Sequence, residues 1–177
     1  MLSFAPLMVA AILLAPRIAT PVLNPDTEVA VLDAPTRHIR TMDVAIRKLL
    51  KRGVRHSPSF AALVTRLQDS NVYVYVELVD RLPGALEGRL MMQPTAHGHR
   101  YVRVQIALHG SSDDSVAVLG HELQHAVEVA DAEEVIDQAT MAKLYQRIGS
   151  RGGEHVYDTV AAQEMGRTVK REVTATS

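Results

Sequence analysis

From Val118 to Val127 the chain reads Val-Leu-Gly-His-Glu-Leu-Gln-His-Ala-Val, a stretch in which Glu122 is the one acidic side chain and no Lys or Arg occurs. A run so short of charge belongs inside a domain. Its two histidines, His121 and His125, are four residues apart, the spacing that stacks side chains on one face of an α-helix. Imidazoles placed this way aim ring nitrogens at one point, which suits a borderline-soft cation such as Zn²⁺ and leaves room for a third protein ligand and a water. The chain has no cysteine, so any further ligand must be His, Asp or Glu. Glu122 directly follows the first histidine, where a carboxylate can take the proton of a cation-activated water and hand it to a leaving group.

The remainder has to enclose that helix, and 177 residues suffice for one ordinary domain. With 19 basic and 20 acidic side chains, two Phe, five Tyr and no Trp, there is neither a cationic field nor a stacking surface for nucleic acid, which is not an expected partner.

Residues 1–20 differ from the rest: Leu2 to Ala15 is almost wholly apolar and the first charge is Arg17. Such a run is shorter than the roughly 20 residues of a membrane span but matches the apolar core of a secretory signal. The expectation is export to the periplasm or the extracellular space, with membrane contact only through this segment if it is not cleaved. Residues 21–35, with Pro21, Pro25 and Pro35, read as an extended linker, leaving 36–177 as the folded domain.

Within that domain Ile39, Met42, Ile46, Leu49 and Leu50 recur at helical spacing, with Gly53 placed to end the helix. Ser57-Pro58 caps a second helix whose stripe is Phe60, Leu63, Val64 and Leu67. Period-two alternation over Val72–Val79, Leu86–Met92 and Tyr101–Leu108 predicts three strands, and their short connections favour an antiparallel meander. Asp113 or Asp114 offers an N-cap for the His121/His125 helix, and a further helix spans about Asp137 to Ile148. Residues 154–173 complete the set as a helix whose core stripe includes Asp158, Ala162, Met165, Val169 and Val173. Ala161 and Ala162 let it approach its neighbours closely.

His121-Glu122-Leu123-Gln124-His125, with uncharged flanks, resembles the H-E-x-x-H signature of zincin metallopeptidases, gluzincins in particular. The resemblance implies an α+β, zincin-like domain: two N-terminal helices, a small mainly antiparallel sheet, the active helix and two C-terminal helices. It also implies a strand along the cleft whose free edge can pair with a peptide or protein substrate, and zinc-assisted peptide hydrolysis with Glu122 as general base. The third ligand is open. Asp158 is the leading candidate, because a carboxylate on a buried stripe needs a partner or a metal. Glu164, Glu154 and His155 are alternatives on the same segment. Asp131 would serve only if the chain bent after His125, and Glu128 at the turn position favours a continuing helix that makes Glu128 a partner of His125 instead. Tyr145, Tyr157, His109 and His155 could each donate to an oxyanion, whereas His97 and His99 fit surface positions. A non-catalytic, metal-binding or interaction module of the cell envelope is the competing expectation.

Overall fold

The structure, a computed structural model, describes residues 37–108, 110–153 and 156–176; the signal-like segment and the linker lie outside these residues. Strand β1 (Ile39–Arg40) is followed by helices α1 (Val44–His56) and α2 (Pro58–Gln68), strands β2 (Val72–Val79), β3 (Gly88–Ala96) and β4 (His99–Ala107), and helix α3 (Ser112–Asp131). Helix α4 (Gln138–Ile148), a small β5 (Ser150–Gly153) and β6 (Val156–Asp158) pair, and helix α5 (Val160–Ala175) complete the α+β domain.

The strand order is β1-β2-β4-β3, with β1/β2 and β2/β4 parallel and β3/β4 antiparallel. The expected meander is therefore corrected to a mixed sheet. Within this sheet β3 and β4 are joined by a tight turn, His97-Gly98, in which both residues adopt positive φ (50° and 76°). The α1–α2 pair lies between β1 and β2 as a crossover, which permits parallel pairing. Alternation places Val72, Val74, Val76, Leu90, Met92, Val102, Val104 and Ile106 on the inner face, all buried against the helices. On the other face Tyr73 stacks with Tyr101 at 5.6 Å and the Arg40 guanidinium lies 4.6 Å over Tyr73.

Ile39 belongs to β1 and not to the first helix, which runs through Gly53 to His56. At Gly53 a Cβ would stand 2.7 Å from the Phe60 ring, so the glycine serves the packing of α1 on α2 and does not end the helix. Ser57 caps α2 as expected, accepting from Phe60 N–H, and its hydroxyl donates to Glu172 of α5 at 2.5 Å.

Candidate metal centre

Helix α3 is fixed at both ends. Its N-cap is Ser111, whose hydroxyl accepts from Asp114 N–H while the Asp114 carboxylate accepts from Ser111 N–H; Asp113 and Asp114 are thus first-turn residues and not the cap. At the other end the buried Arg100 guanidinium of β4 donates to the carbonyls of Val129, Ala130, Ala132 and Val135, and to the Asn71 side chain. These carbonyls lie at and beyond the helix end, where the intrahelical ladder runs out; Val129 and Ala132 also accept from the Ala132 and Val135 N–H groups. Between the clamps α3 is crossed by α5 at close range: a Cβ on Gly120 would meet Val169 at 2.9 Å, and one on Gly166 would meet the His121 Cβ at 3.3 Å. Close approach thus rests on Gly120 and Gly166; of the expected pair, Ala162 is buried but Ala161 is exposed.

This packing brings His121, His125 and Asp158 together, at 0, 2 and 6 % exposure. The His121 and His125 Nε2 atoms are 3.2 Å apart, and Asp158 Oδ1 stands 3.3 Å from the first and 3.6 Å from the second. Ligands about 2.0–2.1 Å from one tetrahedral metal ion are separated by about 3.3 Å, so the three donors have the spacing of ligands to a single ion. The group fits a metal ion.

Asp158 arrives by a different route from the one expected. It ends β6, paired in register with Ser150, and lies just before Thr159, the N-cap of α5, instead of on that helix. Gln163 Nε2 donates to its Oδ2 at 2.8 Å and Thr159 N–H to its Oδ1 at 2.7 Å, which orients the carboxylate. Burial acts to raise the Asp158 pKa, but hydrogen bonds from His121, His125 and Gln163 hold it well below the carboxylate range.

His125 is anchored from behind. Its Nδ1 stands 2.8 Å from Glu128 Oε2, the relationship expected from the continuing helix, and Thr159 Oγ1 donates to Glu128 Oε1 at 2.6 Å. The Tyr145 hydroxyl donates to the His125 carbonyl at 3.2 Å, which assigns that group to positioning the helix. Burial lowers the His125 pKa, but Asp158 and Glu128 outweigh it and raise it to about 9; for His121 burial prevails and the pKa is lowered.

Glu122 is fully buried, and neither carboxylate oxygen has a hydrogen-bond partner among the described residues. Burial raises its pKa to about 8. Glu164 is exposed on α5, and Asp131 turns away to Arg66 at 2.6 Å, so neither joins the cluster. His97 is exposed in the β3–β4 turn and His99 lies against Tyr73 on the far face of the sheet. Glu154, His155 and His109 lie outside the described residues.

β4, the strand delivered just before α3, sits inside the sheet and has no free edge. The edges are β1 and β3; on β3 Met92 N–H donates to Gln138 Oε1, and Gly88 and Leu90 are buried. Thr159, Gln163 and Arg100 escaped sequence reasoning, because their partners are 29 to 35 positions away or depend on β6. Comparison with protein-family models, curated proteins and solved structures returns no match.

Proposed function

We propose that this chain is a zinc-dependent, metallopeptidase-like hydrolase of the zincin type, exported from the cytoplasm and acting on peptide or protein substrates. The observation that carries the reading is the convergence of His121, His125 and Asp158 beside an unpartnered buried carboxylate, Glu122. His121 Nε2, His125 Nε2 and Asp158 Oδ1 would hold the ion. When bound, zinc supplies a Lewis acid that polarises a carbonyl and makes water more acidic. Glu122 carries the proton from the attacking water to the leaving amine. Glu128 holds His125 by Nδ1, leaving Nε2 free to ligate.

A second reading, a non-catalytic metal-binding module of the cell envelope, draws support from burial: none of the four residues exceeds 6 % exposure. Glu122 separates the two, because a structural site has no use for that carboxylate. Metal analysis of the wild type, His125→Ala and Asp158→Ala is expected to give about one zinc per chain, lost in both variants. Glu122→Gln should retain zinc and abolish peptide hydrolysis; equal turnover in wild type and Glu122→Gln rejects the hydrolase.

A further inference from the structure

β3 opens on a glycine whose backbone is not left-handed, so conformational freedom does not explain it. Gly88 shares the inner face of the strand with the buried Leu90 and Met92, at the position where a side chain would point toward α3. What occupies that space is Glu122: a Cβ on Gly88 would stand 2.4 Å from its Oε1 and 2.9 Å from its Cδ and Cγ. A glycine within a strand commonly marks the close approach of another group. Here that group is the one buried carboxylate for which the cluster provides no partner.

We infer that Gly88 is the positioning residue for Glu122: the notch it leaves in β3 is the seat that keeps the carboxyl beside the His121/His125/Asp158 cluster. The inference rests on the reading of Glu122 as proton carrier, but the steric relationship can be tested without turnover. The three ligands stand on α3 and β6, so a methyl group at position 88 displaces Glu122 while leaving the ligand set in place.

The test is a double-mutant cycle on the metal-free protein, with zinc content and hydrolysis of fluorescein-labelled casein measured on the zinc-loaded forms. Gly88→Ala is expected to lower the melting temperature by roughly 5 °C or more, and in a Glu122→Ala background by no more than about 2 °C. Zinc stoichiometry stays at the wild-type value, while kcat on casein falls roughly a hundredfold with KM little changed. If Gly88→Ala does not fold and the double variant does, that rescue is the same result. An equal loss in both backgrounds, or failure of both to fold, overturns the inference and leaves the hydrolase reading untouched. Coupling in the cycle without casein hydrolysis by the wild type upholds the seat and counts against the hydrolase.

Discussion

Thr159 and Glu128 are joined by a 2.6 Å hydrogen bond that ties the start of α5 to the helix bearing both histidines. The same hydroxyl accepts from Ala162 N–H as the N-cap of α5, so one side chain serves helix initiation and the orientation of His125.

Thr159→Val removes both roles. Zinc affinity is expected to fall about 10–100-fold, the usual cost of losing a group that orients a ligand, and the lost cap costs about 1 kcal/mol of stability. Thr159→Ser should restore both. Competition against a chromophoric chelator, with parallel melting curves, measures the two effects.

Zinc binding should depend on pH through His125, raised to about 9 by Asp158 and Glu128 against the effect of burial. Below that value the metal must displace a proton, so apparent affinity drops by about tenfold per pH unit as pH falls. Titrations in buffers of differing ionisation enthalpy at pH 8 should show proton release. An affinity independent of pH between 6 and 9 contradicts this.

Arg100→Met withdraws a buried cation from the carbonyls at the end of α3, for an expected loss of about 2–4 kcal/mol in urea denaturation. Arg100→Lys should recover little. One ammonium group cannot span the Asn71 side chain and the carbonyls that the planar guanidinium reaches.

Asp114 is held down to about 2 by hydrogen bonds from Lys170 and then Ser111. Because the folded value lies below the ordinary 3.8, its contribution is present above pH 4 and disappears as pH falls toward 2. The Asp114 side chain is 47 % exposed, so solvent screening keeps its contribution below about 1 kcal/mol. Melting curves of wild type and Asp114→Asn should converge across that window.

His121, Glu122 and His125 were legible because their relationship is internal to one helix, where spacing alone fixes direction. Glu128 followed from the same periodicity. Asp158 was found through the cost of burying a carboxylate, although the local structure assigned to it was wrong: a strand end and a cap replace the expected helix. β2, β3 and β4 were recognisable from alternation, whereas their pairing direction and the short strands β1, β5 and β6 were not. Whether β2 joins β4 in parallel is decided by the path of the intervening chain and not by the residues of either strand. Gly88 carried a faint signal, a glycine opening an apolar strand, but its partner lies on another element.

The two clamps on α3 also bear on motion. With the Ser111/Asp114 box at one end, Arg100 at the other and residues from Ser115 to Val129 largely buried between them, this helix has no frayed end from which to open. Its amide hydrogens around His121 should exchange with solvent only when the whole domain unfolds, making α3 the slowest-exchanging unit of the protein.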